Sequence, residues 1–289
     1  MEAAETKPTC TVCLIAKDEG PYLLEWVAYY RRLGFDEIIV YDNKSTDGST
    51  ELLKALAKAG VITYRFWTMG ATTSPQISAY TDAVMRCTTD WILFIDTDEF
   101  LVLHHHDNVT DFLAPFHARP GVGVVGINWR LFGDNGMAEN DGRPATERFT
   151  RAAEAEFETN AHFKSFNRLD SVIKCENMHA CHVNNVYVHA SGRILDMIDF
   201  GVASRIELHI AQVNHYFTRT WAEYQEKKRR GRGGFAANAP EKHAYHKEKF
   251  DAHNCNTVED LSIQRHTAGL RTEMARLETL IAQPVSASA

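Results

Sequence analysis

No apolar run in this chain approaches the length needed to cross a bilayer, and residues 1–7 carry neither the basic nor the hydrophobic stretch of a secretory signal. The expectation is a cytoplasmic protein, at most peripheral to the inner membrane face. Positive charge is also scarce: 31 Lys and Arg stand against 38 Asp and Glu, a net charge of −7, which argues against nucleic acid as the main partner. Six cysteines, at 10, 13, 87, 175, 181 and 255, are too few in 289 residues for a dense disulfide framework, so free thiols are expected. No second C-x-x-C follows Cys10 and Cys13, and that pair, set in an alternating apolar run, reads as small buried hydrophobes rather than a redox or zinc site. There is no internal repeat.

With 44% hydrophobic content the chain can bury a full core. The first hundred residues alternate strand and helix: strands at 9–16, 37–41, 61–66 and 91–95, helices at 21–33, 49–59 and 75–87, the first with Pro21 in its opening turn and the second stopped by Gly60. Such alternation predicts an α/β fold with a mostly parallel sheet and right-handed crossovers. A helix near 109–116 and a strand at 122–131 follow, then a polar irregular stretch at 133–162 that reads as a closing loop or a mobile insertion. From Trp221 the chain reads as helical and polar, with the basic run Lys227–Gly234 in its middle, a segment suited to a pyrophosphate or an anionic membrane surface. The division expected is a domain at 1–220 and a helical extension at 221–289.

The chemistry concentrates at Trp91–Phe100, where an apolar strand runs into Asp96, Asp98 and Glu99. Open α/β sheets bind ligands at the carboxyl ends of their strands. Two aspartates at i and i+2 there can reach a hard divalent cation that also binds phosphate oxygens. The loops after the first two strands, Ala16–Gly20 and Tyr41–Ser49, should share that edge; Asp42, one residue past its strand, is placed to meet a base or ribose, while Ser45, Thr46 and Asp47 suit a helix cap.

The strings Lys17–Trp26, Tyr41–Ser49, Gln76 with Asp82, and Trp91–Leu101 resemble, in order and spacing, the glycosyltransferase family 2-like and family 92-like group. So do Trp129–Gly136, Asn214–Phe217 and Lys227–Gly231. The resemblance implies a GT-A fold with a helical C-terminal extension, a nucleotide-sugar donor such as a UDP-hexose, a glycan or glycolipid acceptor, and Mn²⁺ or Mg²⁺. It implies donor contacts at Ala16, Lys17, Glu19, Asp42, Asn43, Gln76, Asp82, Asp96 and Thr97, and a metal site at Asp96, Asp98 and His215, with Asp96 toward the ribose. The base of an inverting transfer is open between Asp134, in the Phe-Gly turn, and Glu176, in the region that in many GT-A enzymes begins a helix. Peripheral membrane contact would run through Lys227–Arg232.

His104, His105 and His106 are consecutive and read as exposed polar sequence; His179 and His182 share one face of a helix if a helix forms there. Two other functions compete. A nucleotidyltransferase needs a glycine-rich basic loop after the first strand, where this chain has Lys17-Asp-Glu-Gly20, and a binding module would keep the donor pocket without turnover.

Overall fold

A computed structural model describes residues 7–68, 73–231 and 246–283. In chain order its elements are β1 (Cys10–Ala16), α1 (Gly20–Arg32), β2 (Glu37–Asp42), α2 (Ser49–Lys58), β3 (Thr63–Phe66), α3 (Pro75–Arg86), β4 (Trp91–Phe94), β5 (Glu99–Leu103), α4 (Val109–His117) and β6 (Val122–Leu131). There follow α5 (Ala145–Arg148), β7 (Arg151–Ala152), β8 (Phe163–Arg168), β9 (Val172–Lys174), β10 (His182–Val183), β11 (Val186–His189), β12 (Met197–Asp199), β13 (Val202–Ala203) and β14 (Ala211–His215). The C-terminal part holds α6 (Trp221–Arg230), α7 (Lys247–His253), β15 (Val258–Glu259) and α8 (Thr267–Ala282).

The central sheet runs β3-β2-β1-β4-β8-β6-β14-β5, with β11 beside β6. Strands β3, β2, β1 and β4 are mutually parallel, as the alternation of strand and helix predicts. Strand β8 then enters antiparallel between β4 and β6, and β14 lies parallel to β6 and antiparallel to β5. This is the mixed, mostly parallel α/β sheet expected of a GT-A fold.

Helix α1 begins with Pro21 and ends on Arg31 and Arg32, cations where the helix dipole favours them. Its Leu23, Trp26, Val27 and Tyr30 recur at helical spacing and are fully buried against the sheet. Helix α8 covers the other side of α1, and Arg31 pairs with Glu273 across them at 3.0 Å. On the opposite sheet face α3 buries Ala79, Tyr80 and Ala83.

Four readings are corrected. Cys175 and Cys181 are not free: β9 and β10 pair as a hairpin, and the loop between them brings the two into a disulfide packed with α3. No helix carries His179 and His182, and the region 164–182 is strand β8, a 3₁₀ turn and this hairpin. Ser45, Thr46 and Asp47 do not cap α2, whose cap position is Gly48 at φ +92°; Asp47 instead accepts from Ser49 N (3.0 Å) and Gly20 N (2.9 Å), joining two loops. Finally, 133–162 is not irregular throughout: it holds α5, β7 and a 3₁₀ turn, and only 138–143 is an exposed loop. Buried Glu25 accepts from the amides of Ala145 (2.8 Å) and Thr146 (2.9 Å), and Arg148 and Phe149 are buried beneath it. Cys10 and Cys13 are fully buried, as their strand context implies. Among the described residues no helix is long and apolar enough to cross a membrane.

Candidate active site

The register of the sheet sets the site. Ala16 and Asp42 stand level at the ends of β1 and β2. Ile95, Asp96, Thr97 and Asp98 form the link between β4 and β5, and β14 places His215 opposite Glu99. Tyr216 N donates to Asp98 O at 2.8 Å, fixing β14 beside that link. Segments more than a hundred residues apart therefore meet at Asp98.

Asp98 is 5% exposed, and its Oδ2 faces His215 Nε2 at 3.7 Å while accepting from the Lys227 ammonium. Burial alone would raise the Asp98 carboxyl, but Lys227 and His215 outweigh it and hold it well below the usual carboxylate range. Burial pushes the His215 imidazole below its ordinary value, keeping it neutral, and its Nδ1 has no partner among the described residues. Trp129 packs on that ring at 4.3 Å between centroids.

Asp96 faces a different set of groups. Its Oδ1 accepts from Gln76 Nε2 at 2.8 Å and its Oδ2 from Lys164 Nζ at 2.9 Å, while its carbonyl accepts from Trp26 Nε1 at 3.1 Å. Lys164 is wholly buried and also meets Glu99 Oε2 at 3.1 Å. Burial opposes its charge, yet the two carboxylates keep the ammonium above its ordinary pKa. Glu99 is driven the other way, upward, by burial and by Asp96 and Asp98 despite Lys164.

The third cluster is cationic. Glu19, 5% exposed, pairs with Arg219 at 3.1 Å and with Arg230. Arg219 sits at φ +47° with its guanidinium 3.4 Å over the Tyr22 ring, and its Nε and Nη2 have no partner among the described residues. Two residues of the basic run are turned inward, Lys227 to Asp98 and Arg230 to Glu19 and the Asp18 carbonyl, while Arg229 is exposed. Arg232 lies outside the described residues.

Of the other expected donor contacts, Asp42 is fully buried and already accepts from Ser45 N (3.0 Å), Thr50 Oγ1 (2.5 Å) and Tyr64 OH (3.1 Å). Asn43 N donates to Ala16 O at 2.8 Å, and Lys17 and Asn43 are half-buried beside it. Asp82 is placed along α3 from Gln76 and is held by Tyr41 OH and Arg86, both at 2.8 Å. The two base candidates part company. Asp134 lies two residues past Phe132, whose amide donates to the carbonyl of His215 at 3.0 Å; Asp134 Oδ1 accepts from Gly136 N and Asn256 Nδ2. Glu176 is 59% exposed at its side chain and paired with Lys174 at 2.7 Å on the β9–β10 hairpin. Lys164 and Arg219 were not expected. The only cue to either was a basic residue inside an otherwise strand-like or aromatic-flanked run.

No group of three or more His, Cys, Asp or Glu able to hold a metal occurs among the described residues. Asp98 and His215 nevertheless converge, one oxygen and one neutral imidazole, a donor set that fits a cation completing its coordination with substrate phosphates and water. Asp96 stands apart from that pair, taken by Gln76 and Lys164.

The sequence pattern of glycosyltransferase family 92 matches residues 9–255. Similar proteins include family 92 members of Oryza sativa subsp. japonica, 23% identical over 220 residues (75% of this chain, 34% of that one), and of Ricinus communis, 23% identical over 224 residues (75% and 36%). The chain spans about a third of the length of these relatives. Among solved structures, the Pyrobaculum calidifontis mannosyltransferase PcManGT in complex with GDP-Man and Mn²⁺ has a TM-score of 0.34 and 21% identity over 43% of this chain and 36% of its own. S. aureus TarS with UDP has a TM-score of 0.36 and 14% identity over 56% and 47%. The family pattern runs from β1 to α7 and so takes in every strand of the central sheet and both segments that meet over Asp98: the chain belongs to glycosyltransferase family 92.

Proposed function

We propose that this chain is a metal-dependent glycosyltransferase that moves a sugar from a nucleotide diphosphate, a UDP-hexose, to a glycan or glycolipid hydroxyl with inversion. The observation that carries this reading is the convergence of Asp98 and His215 at the carboxyl edge of the sheet, with Lys227 on Asp98 and the charge of Arg219 acting on it. Anionic diphosphate is the ligand such a set suits. Residues 1–220 then form the catalytic domain, and 221–289 an extension that reaches back over it.

Asp98 and His215 would hold a divalent cation, Mn²⁺ or Mg²⁺, whose chemistry there is to stabilise charge on the departing diphosphate. Lys164 and Gln76 orient Asp96 toward the donor, and Glu19 orients Arg219 and Arg230. Asp134 serves as base: its carboxylate takes the acceptor hydroxyl proton as that oxygen bonds to the anomeric carbon. The bond from the anomeric carbon to the phosphate oxygen breaks, and the nucleoside diphosphate leaves with the electron pair. Glu176, solvated and paired with Lys174, is the weaker candidate.

The test is calorimetric titration of UDP, GDP, CDP and ADP with Mn²⁺ and again with EDTA, on the wild type and Asp98→Asn. One nucleotide should bind only with metal, and the variant should lose about 10–100-fold in affinity. Unchanged binding by Asp98→Asn overturns the assignment; equal binding in EDTA removes the metal and leaves Lys227 as the cation of the site.

A further inference from the structure

Beside Asp134 lies a cavity of about 490 Å³, inside the ~300–1,000 Å³ range of small-molecule sites. One wall is the loop after β7, with Glu154, Glu156 and Phe157; the other is the segment after α7, with Asn254, Cys255 and Asn256. The walls are fixed to each other. Strands β7 and β15 pair at their ends, Arg151 donates to the carbonyls of Asn256 (2.8 Å) and Thr257 (3.1 Å), and Thr257 Oγ1 donates to Ala152 O (3.1 Å). The cavity is therefore formed without a ligand to order it.

Its polar groups are both oriented and available. Asn256 is locked by Asn135 N (2.8 Å), by Asp134 Oδ1 (3.2 Å) and by the approach of Gly133, where a Cβ would stand 2.5 Å from the amide. Asn254 Oδ1 accepts from Asp134 N at 2.8 Å, leaving its Nδ2 without an acceptor among the described residues. Glu154 and Glu156 are exposed and stand in no ion pair within 4 Å of described residues, Glu156 lying in the field of Arg130, and Phe157, half-buried, lines the same wall.

A run of contacts links the cavity wall to Asp98. His253 packs on Phe217 at 5.0 Å between centroids, and Lys227, paired with Asp98, lies 4.5 Å over the same Phe217 ring. Asn254 and Asn256 of the wall are themselves hydrogen-bonded to Asp134, so the cavity lies next to that carboxylate.

We infer that this cavity is an acceptor subsite for a neutral oligosaccharide, binding the sugar units next to the one that receives the transfer; the inference rests on the proposed transferase reading. Two carboxylates accept hydrogen bonds from sugar hydroxyls and repel acidic sugars, the amide of Asn254 donates, and the face of Phe157 packs against pyranose C–H groups. A neutral glycan is the class that satisfies all of these at once.

Cys255, a free thiol in the wall, supplies the readout. Its alkylation by iodoacetamide is followed by peptide-resolved mass spectrometry on the whole chain, with gluco-, galacto- and manno-oligosaccharides of one to six units and with oligogalacturonate. One neutral series should slow labelling at least about fivefold, longer members more than the monosaccharide, and oligogalacturonate should not. Phe157→Ala and Glu156→Gln should each abolish protection, read as the ratio of labelling rates with and without sugar in the same variant. Protection by no neutral series, equal protection by oligogalacturonate, or protection unchanged in both variants overturns the proposal. The assay needs neither donor nor metal, so failure of the transferase reading shows separately, in the nucleotide titration.

Discussion

In the parallel half, from β1 to β4 and the link that follows, the carboxyl ends of the strands present acids: Glu19 after β1, Asp42 at the end of β2, Asp96, Asp98 and Glu99 after β4. In the half that follows, the groups reaching the same edge are basic: Lys164 from β8, His215 from β14, Arg219 from the turn after it, Lys227 and Arg230 from α6. Apart from Asp42, answered within its own half by Ser45, Thr50 and Tyr64, every one of these acids is answered by a cation or imidazole from the second half. The difference teaches that neither half is a site alone. The first gathers negative charge that a sheet edge would not tolerate unpaired, and the second makes it tolerable while leaving cationic groups facing the cleft.

The largest break in that arrangement should come at Lys164. Lys164→Ala strips the buried cation from both Asp96 and Glu99, and about 3–5 kcal/mol of stability should be lost in urea unfolding. A loss under ~1 kcal/mol would mean the halves are joined by packing alone. Next is Asp134→Asn: kcat should fall at least about 100-fold with nucleotide affinity unchanged, because the base acts on the acceptor and not on the donor. A parallel loss of nucleotide binding would instead place Asp134 with the donor half.

A finer comparison concerns Glu223, which accepts from Arg148 (2.7 and 2.9 Å), Tyr22 (2.7 Å) and Thr220 and so ties α1, α5 and α6 together. Burial works to raise its pKa, but Arg148, Tyr22 and Thr220 prevail and draw the carboxyl down to about 2. A depressed folded pKa means the stabilisation is present above the unfolded value near ~4.3 and is lost as pH falls from there toward about 2. Unfolding across that window should show a smaller acid-induced loss for Glu223→Gln than for the wild type. The smallest effect belongs to Thr220→Ala, which removes one side of the capping box of α6 and should cost about 1 kcal/mol.

The parallel half was readable because its signals are local. Apolar strands of period two or continuous runs, prolines at helix starts and Gly60 after α2 place β1 to β4 within a residue or two, and with them Asp96 and Asp98. His215 came only through resemblance, since nothing in its own neighbourhood says that β14 will lie against β5. Lys164 was hidden for a physical reason. In Phe163–Arg168 every residue is buried, four of them polar, so neither alternation nor hydrophobicity marks β8 as a central strand. The disulfide was missed because spacing of six says nothing until the β9–β10 hairpin folds the chain back.

The pairing of β14 with β5 has a consequence for how this protein can vary. Successive residues of a strand point to opposite faces, so sliding β14 by a single position would present Asn214 or Tyr216 where the imidazole of His215 now meets Asp98. A point replacement in β14 keeps the backbone register, whereas one inserted or deleted residue between Ala211 and His215 exchanges the whole inward-facing set at once. Tolerance to change near the site is therefore graded by the kind of change, point replacement against length change, more than by distance from Asp98.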